Sequence, residues 1–283
     1  MKIIECPRDA MQGIKNFIPT EHKITYLNEL LKVGFDTLDF GSFVSPKAIP
    51  QMRDTAAVLS GLDLDTPTKL LAIVANTRGA SQACEFEEIK YLGYPFSISE
   101  TFQLRNTNAS IEDSMGRLLR IKELADKTNK EVVVYLSMGF GNPYGDPWNV
   151  EIVAYWVDQL TKYGFSILQL SDTIGVATPE SIAYLFSGLI SKYPDIEIGA
   201  HLHTKPNEWE PKIHAAFENG CRRFDGAFKG YGGCPMAKDD LTGNMPTEHI
   251  LNYFSNLNLL EGYDFDVAKS ALNNSNSVYS YAE

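Results

Sequence analysis

The sequence predicts a (β/α)8 barrel, or TIM barrel, an α/β fold in which eight parallel strands close into a cylinder. Three observations lead to this prediction. Short runs of β-branched and apolar residues alternate with stretches of helical periodicity, and this unit occurs eight times along the chain. Strands separated by helices pair in parallel. The length of 283 residues also suits one barrel, for which about 250 residues are typical.

Each predicted strand is followed by a helical stretch, in order along the chain. The eight strands are predicted at 2–7, 35–42, 69–75, 94–99, 131–138, 165–171, 196–203 and 222–228. The helices are predicted at about 20–33, 50–60, 79–90, 110–128, from near 147, 178–192, 207–219 and 247–256. An open doubly wound sheet is the alternative, but no Gly-x-Gly-x-x-Gly motif follows the first strand.

Capping signals set the predicted helix starts. Thr20 stands before Glu21 and is the expected N-cap of the first helix. Ser110 lies three residues before Asp113 and opens the fourth helix in the manner of a capping box. Pro147 suits the first turn of the fifth helix, where a missing N–H is tolerated. These starts delimit the strands that precede them.

Residues 1–283 are expected to form a single catalytic domain. No stretch rich in Pro, Gly and Ser is long enough to separate two domains. The C-terminal tail, at about 257–283, is predicted to add one short helix to the barrel.

The composition excludes several classes of partner. A net charge of -11 argues against a nucleic-acid partner and against an anionic membrane surface. No apolar run approaches the length of a membrane span, and the N-terminus enters a strand without room for a signal peptide. The four cysteines show no paired spacing, which favours a reducing compartment. We therefore expect a soluble, cytoplasmic protein.

Two histidines end the seventh predicted strand. His201 and His203 are two residues apart, so their imidazoles face the same side of the strand. Two adjacent histidines on a buried apolar strand are costly unless something engages their nitrogens. The alternatives are a divalent metal, for which imidazole is a common ligand, and hydrogen bonds within the core.

Barrel active sites lie at the C-terminal ends of the strands, and polar residues are predicted at that end of almost every strand. They are Arg8, Asp9, Asp39, Ser42, Asn76, Glu100, Ser137, Asp172, Thr173, His201, His203, Cys234 and Asn244. Such a concentration at one rim favours the metal-site interpretation over core hydrogen bonding.

Asp9, His201, His203 and Asn244 together form a candidate metal-ligand set. Oxygen and nitrogen ligands without a thiolate suit Mg²⁺ or Mn²⁺ better than a closed zinc site. Two simpler interpretations remain open at this point. Asp9 could pair with its neighbour Arg8, and Asn244 could serve as a turn residue after Gly243.

Two further residues are candidates for catalysis. Arg8 beside the metal would present a fixed positive charge to developing negative charge, although it could also be a structural arginine that ties strands together. Cys234 follows the glycines of the segment 230–235, which favours a mobile loop carrying a thiol over the site. The other three cysteines are interpreted as structural.

Several motifs then occur in order along the chain. They are PRDAMQ (7–12), SFVSPK (42–47), SDTIG (171–175), HLH (201–203), GGCP (232–235), GN (243–244) and TE (247–248). Together they resemble 3-hydroxy-3-methylglutaryl-CoA lyases, which belong to the larger group of metal-dependent barrel lyases and Claisen-type synthases. The resemblance runs from the first strand to the helix after the eighth. SFVSPK and GGCP are specific to the lyase branch, and His-x-His is shared by the wider group.

The resemblance implies a role for each matching residue. It implies that Asp9, His201, His203 and Asn244 bind a divalent cation, Mg²⁺ or Mn²⁺. It also implies that Arg8 stabilises an enolate and that Cys234 is an acid/base on a mobile loop. The candidate catalytic residues are Arg8, Cys234 and Asp39. The candidate substrate-binding residues are Gln12, Lys15, Ser42, Asp172 and Glu248.

The sequence departs from the family pattern at four places. Thr204 follows His-x-His where the family usually has Asp, and Asp39 replaces a longer Glu. The segments 10–14 and 205–209 also differ from the family. No proposed metal ligand is lost, but these departures leave the acyl substrate open.

The expected function is metal-dependent retro-Claisen cleavage of 3-hydroxy-3-methylglutaryl-CoA to acetyl-CoA and acetoacetate, with leucine degradation as one pathway context. Asp39, or a metal-bound water relayed through His201, is the expected base. A Claisen synthase or aldolase of the same group acting on a 2-oxo acid is one alternative, and a barrel that binds acyl-CoA or metal without turnover is another. The resemblance suggests a homodimer.

Overall fold

The computed structural model describes residues 1–233 and 242–282. Eight strands pair in parallel from β1 through β8, and β8 returns to β1, so that the sheet closes. The parallel strands are β1 (Lys2–Glu5), β2 (Thr37–Ser42), β3 (Lys69–Ile73), β4 (Ile89–Ser97), β5 (Glu131–Ser137), β6 (Ile167–Asp172), β7 (Glu197–Thr204) and β8 (Arg223–Gly226). The predicted barrel is confirmed.

Helices surround this barrel. They are α1 (Pro7–Gln12), α2 (Thr20–Leu31), α3 (Thr55–Ser60), α4 (Thr77–Cys84), α5 (Glu100–Thr107), α6 (Ile111–Lys127), α7 (Val150–Lys162), α8 (Pro179–Lys192), α9 (Trp209–Glu218), α10 (Thr247–Asn256), α11 (Phe265–Asn274) and α12 (Asn276–Tyr279). Short 3-10 turns occur at Pro50–Met52, Phe228–Gly230 and Ser280–Ala282. Within the described ranges, no helix is both long and apolar enough to cross a bilayer.

Three helical predictions need correction. Residues Pro7–Gln12 form a helix directly after β1, because Pro7 suits a first helical turn and has no N–H to place. A second missed helix, α5, begins after Ser99, whose hydroxyl accepts the Phe102 N–H. The helix predicted at 79–90 ends at Cys84, and β4 already begins at Ile89, because Ile89 and the following residues pair with β3.

Of the three predicted helix starts, one is confirmed and two are wrong. Ser110 caps α6 as predicted, accepting the Asp113 N–H at 3.0 Å. Thr20 does not cap α2; its hydroxyl donates instead to Asp54 Oδ2 at 2.8 Å. The fifth helix begins at Val150 and not near Pro147, because the Asn149 side chain caps it.

The C-terminal tail forms two helices where the sequence predicted one. Helices α11 and α12 both pack against α2. The Tyr279 ring meets Tyr26 edge to face at 5.8 Å between centroids, and both rings are buried. Burial of aromatic side chains contributes strongly to stability, so these contacts hold the tail against the barrel.

A short strand, β9 (Gly243–Asn244), pairs with β7 beyond the end of the barrel. The pairing is antiparallel and places Asn244 opposite His203. In the barrel itself, His201 lies opposite Ser171 on β6. The ends of β6, β7 and β9 thus bring their polar residues to one rim.

Candidate active site

A cavity of about 470 Å³ opens at the C-terminal end of the strands. Its polar lining includes Arg8, Asp9, Gln12, Ser42, Tyr135, Ser137, Ser171, Thr173, His201 and His203. Its apolar lining includes Val44, Ile49, Ile73, Ala75, Pro95 and Phe102. Six of the predicted site residues therefore share one space. A polar set on one side and an apolar wall on the other are typical of small-molecule sites.

Asp9 is buried in the first turn of α1 and accepts three hydrogen bonds. Arg8 Nη1 and Gln12 Nε2 donate to Oδ1 at 3.0 and 2.8 Å. Asn244 Nδ2 donates to Oδ2 at 2.8 Å. The pairing of Asp9 with Arg8 therefore exists beside the contact with Asn244. A helix that starts directly after β1 is what turns Asp9 into the cavity.

His201 and His203 face the same space from β7, with 5.3 Å between ring centroids. One ligand atom each from Asp9, His201 and His203 lies within 4.8 Å of the others. His201 Nδ1 is 3.0 Å from Asp225 Oδ2. His203 Nδ1 is buried and has no hydrogen-bond partner among the residues described.

Burial and neighbouring charges set the protonation of these groups. Burial and the charge of His201 lower the pKa of His203 to about 3, so this ring is neutral. Burial acts against the charged form of Asp9, but Arg8 and the two histidines together lower the pKa of this carboxyl. Burial lowers the pKa of His201, and the hydrogen bond and charge of Asp225 more than reverse that effect. A neutral imidazole and an ionised carboxylate are the forms that bind metals.

Arg8 is held by two carboxylates. Its Nε is 3.1 and 3.0 Å from the two Asp39 oxygens, Nη2 is 2.5 Å from Asp39 Oδ2, and Nη1 bonds Asp9. Burial raises the pKa of Asp39 to about 6, against the opposing charge of Arg8. Asp39 itself has 0% exposure. Because both carboxylates bond the planar guanidinium, its orientation is fixed, and it lies at the cavity wall.

The predicted substrate-binding residues lie in different places. Gln12 and Ser42 line the cavity. Lys15 is exposed and lines a neighbouring cavity of about 320 Å³, which shares Gln12 with the first. Asp172 is buried and bound by Lys212 Nζ at 3.0 Å. The structure thus places Gln12 and Ser42 against the main cavity, Lys15 next to it and Asp172 behind its wall.

The remaining two predicted residues lie after β8. Glu248, in the first turn of α10, accepts the Lys229 N–H at 2.9 Å, and it is not among the cavity-lining residues. Cys234 lies outside the described residues. The segment that leads to Cys234 packs on the site, because a Cβ at Gly232 would lie 2.5 Å from Asn244 Nδ2. The φ of +99° at Gly232 also favours glycine at this position.

Three charged or polar residues near the site escaped the sequence prediction. Asp225 bonds His201, and Gln169 Nε2 donates to Asp225 Oδ1. Lys212 donates to the His203 carbonyl at 2.7 Å. Asp225 carried a usable signal, since a carboxylate inside an apolar strand requires a partner. Lys212 carried no such signal, because a lysine on a helix is ordinarily a surface residue.

The donor set fits a divalent cation. Asp9 is ionised, His203 is neutral, and its buried Nδ1 is unpartnered within the described part of the chain. A second cluster of possible ligands, Cys6 with His201 and Asp225, fits less well. Burial raises the pKa of the Cys6 thiol well above its ordinary value, so the thiolate that metals bind is disfavoured.

Comparison with known proteins identifies relatives of this arrangement. A Bacillus subtilis hydroxymethylglutaryl-CoA lyase is 35% identical over 245 residues, which cover 87% of this chain and 81% of the relative. A Pseudomonas aeruginosa 3-hydroxy-3-isohexenylglutaryl-CoA/hydroxymethylglutaryl-CoA lyase is 33% identical over 91% of this chain and 85% of its own.

A solved structure of a related protein has the same fold. It is an HMG-CoA lyase from Acinetobacter baumannii in complex with coenzyme A and 3-methylmalate. It superposes with a TM-score of 0.90 at 29% identity and covers 99% of this chain and 91% of its own. The sequence model of the HMGL-like family matches residues 2–273. The chain therefore belongs to the HMGL-like family.

Proposed function

We propose that this protein cleaves 3-hydroxy-3-methylglutaryl-CoA to acetyl-CoA and acetoacetate with the help of a divalent cation. The observation that carries the proposal is the convergence of Asp9, His201 and His203 beside Arg8 on one cavity. The relatives named as lyases for this substrate, at 33 and 35% identity, support it.

Asp9, His201, His203 and Asn244 would hold the cation. When bound, a cation such as Mg²⁺ or Mn²⁺ would act as a Lewis acid toward the hydroxyl and carbonyl oxygens of the substrate. The mixture of carboxylate, carboxamide and imidazole donors supports a hard or borderline ion.

The chain's own residues would then stabilise the charge that moves. In the proposed reaction the tertiary hydroxyl loses its proton and becomes the ketone of acetoacetate. The bond between C2 and C3 breaks, and its electron pair passes to the thioester as the enolate of acetyl-CoA. Arg8 would stabilise this enolate, because its guanidinium is fixed at the cavity wall before the substrate arrives.

The base that takes the hydroxyl proton was left open by the sequence. Asp39 is closed off from the cavity and bonded by Arg8 on both oxygens, which supports a role in holding Arg8. His201 Nδ1 faces Asp225 and its Nε2 would bind the cation, so this ring would have no free nitrogen to relay a proton. We propose that the proton passes to water in the cavity and from there to solvent. Cys234 would then protonate the enolate carbon.

The related structure that holds coenzyme A supports a CoA ester. Gln12 and Ser42, which line the cavity, would contact the acyl portion, and Lys15, which lines the neighbouring cavity, would contact a more distant part of the substrate. The apolar wall formed by Val44, Ile49 and Ile73 also favours a second candidate substrate with a longer 3-alkyl chain, like that named for the Pseudomonas relative.

We also propose that residues 1–283 act as a single catalytic domain in the cytoplasm, as a homodimer, with leucine breakdown as one context. The packing of α11 and α12 on α2 supports the single domain. Cys6, Cys84 and Cys221 are free thiols, which supports a reducing compartment.

A coupled assay for acetyl-CoA and acetoacetate tests the function directly. The purified protein would be treated with chelator and then assayed with 3-hydroxy-3-methylglutaryl-CoA, with and without Mg²⁺ or Mn²⁺. We expect turnover that depends on the added ion. If the folded, ion-loaded protein gives no products but condenses acetyl-CoA with a 2-oxo acid, the lyase proposal is wrong and the synthase alternative holds.

A further inference from the structure

We propose that Asp225 and Gln169 are positioning residues that fix the orientation and the tautomer of His201, so that its Nε2 lone pair faces the cation. This inference rests on the metal site of the proposed function. The sequence indicated neither residue, because their partners lie on different strands.

The three side chains form a continuous hydrogen-bonded chain across three adjacent strands, β6, β7 and β8. His201 Nδ1 lies 3.0 Å from Asp225 Oδ2. Gln169 Nε2 donates to the other oxygen, Asp225 Oδ1. Gln169 has 0% exposure and Asp225 has 3%, so water does not compete for these bonds.

The chemistry of the pair sets the tautomer of the ring. An ionised carboxylate only accepts hydrogen bonds, so the hydrogen must reside on His201 Nδ1. In the neutral imidazole the other nitrogen, Nε2, then carries a lone pair. The Tyr135 ring meets His201 edge to face at 5.4 Å and limits rotation from another side. Before any ion binds, Nδ1 thus donates to Asp225 and Nε2 carries the lone pair that would bind the ion.

The backbone makes room for this arrangement at Gly199. Gly199 lies opposite Gln169 in the register of β6 and β7. A Cβ at position 199 would overlap Gln169 Oε1. A side chain at position 199 would therefore displace Gln169 from the position in which it reaches Asp225.

His203 provides the contrast within the same strand. Its Nδ1 has no hydrogen-bond partner in the part of the chain that is described, and Lys212 holds its main-chain carbonyl instead. The two histidines are therefore held differently, since a carboxylate bonds the His201 ring, whereas the His203 ring has the main chain of Thr242 beside it. Of the two histidines, only His201 should lose a bond to its ring when the Asp225 carboxylate is removed.

The test is Asp225→Asn, which keeps the shape and adds an amide that can donate to Nδ1. The ring should then carry its hydrogen on Nε2. We expect a loss of Mn²⁺ affinity of about 10- to 100-fold by titration calorimetry of the chelator-treated protein. In ¹⁵N NMR of the metal-free protein, recorded above the titration of imidazole, the His201 signals should change from the Nδ1–H to the Nε2–H pattern.

Glu197→Gln is the matched control. It makes the same chemical change on β7, but Glu197 pairs with Lys2 and Arg223 at the opposite end of the strand. We expect its Mn²⁺ affinity and its His201 tautomer to match those of the wild type. Gly199→Ala is a second variant, which displaces Gln169 and leaves Asp225 and His201 in place. We expect it to weaken Mn²⁺ binding less than Asp225→Asn does.

Two outcomes would overturn the positioning role. One is an Nε2–H tautomer in the wild type, and the other is wild-type Mn²⁺ affinity in both folded variants. If Asp225→Asn does not fold, Gly199→Ala decides the question by the same two measurements. A wild-type protein that binds no Mn²⁺ overturns the proposed function instead, and the tautomer in the metal-free protein then still decides the positioning role.

Discussion

Charged residues gather at both ends of the barrel, but they are arranged differently. At the N-terminal end, Lys2 and Arg223 lie against Glu197 at 2.5 and 3.0 Å, and Lys69 lies against Asp36 at 3.1 Å. At the C-terminal end, Asp9, His201 and His203 surround a space and leave a buried nitrogen of His203 unpartnered in the described chain. At the first end charges meet one another, and at the second they face a cavity.

The difference shows what distinguishes a site from a structural charge cluster. Charged side chains occur at both ends, so their presence alone does not separate the two. What separates them is that donor atoms converge on empty volume, with Arg8 fixed beside them by Asp39. Perturbed groups that aim at a cleft are candidates for function, whereas paired charges are candidates for stability.

The largest effect is expected from His203→Ala, which removes one donor from the cavity. Turnover should fall by about 1,000-fold or more, because the several kcal/mol of charge stabilisation supplied by a cation are lost. Mn²⁺ affinity by calorimetry should fall with it. His214→Ala is the control, since this exposed imidazole contacts Tyr253 away from the site. Equal turnover in both variants would mean that the cavity end is not the site.

Arg8→Lys should have the next largest effect. Lysine keeps the charge but cannot bridge Asp9 and Asp39 with a planar fork. We expect kcat to fall by about 100- to 1,000-fold, the loss typical when one fixed electrostatic group is removed, with a smaller change in KM. Steady-state kinetics with thermal unfolding as a folding check measure this. Wild-type kcat in Arg8→Lys would assign Arg8 to structure, like the cations at the other end.

Glu5, the last residue of β1, bonds residues that follow β8 and does not line the cavity, so it should affect stability alone. It is fully buried and accepts bonds from Phe228 N and Thr247 Oγ1 at 3.0 and 2.5 Å, and burial raises its pKa to about 8. Between the ordinary pKa of 4.5 and about 8, the folded protein keeps a proton that the unfolded chain loses. This group therefore makes the free energy of unfolding fall as pH rises, by up to about 1.4 kcal/mol per pH unit.

The test for Glu5 is Glu5→Gln, whose amide has the same shape and does not titrate. Urea unfolding at several pH values across that interval should show a flatter dependence in the variant. An unchanged pH slope would show that Glu5 titrates normally despite its burial.

The smallest effect is expected at the N-terminal end, from Asp36→Asn. The Asp36 carboxyl is partly exposed and pairs with Lys69, so its loss should cost about 1 kcal/mol or less. Burial opposes its ionised form, but Thr37 and Lys69 lower its pKa. The stabilisation from Asp36 should thus be present at neutral pH and lost as pH falls through its lowered pKa. The variant should therefore be less stable than the wild type at neutral pH and equally stable in strong acid. Urea unfolding measures this, and kcat should be unchanged. A large loss of kcat would contradict the division between the two ends.

Several parts of the site could be predicted because they are local in sequence. Two histidines at i and i+2 on a strand must share a face, and Asp9 directly follows the first strand, so both predictions needed only strand geometry. The structure places these three residues together. The helix Pro7–Gln12 was missed, because six residues are too few for a periodic signal.

The sequence by itself determined the barrel, since eight alternating units leave parallel closure as the compact solution, and it determined which rim carries the polar residues. Only the tertiary structure decided how those residues are held. Asp225 reaches His201, Lys212 reaches the His203 carbonyl and Asp39 grips Arg8 across 24, 9 and 31 positions of sequence. Hydrogen bonds between strands and helices depend on register and side-chain direction, which no local pattern specifies.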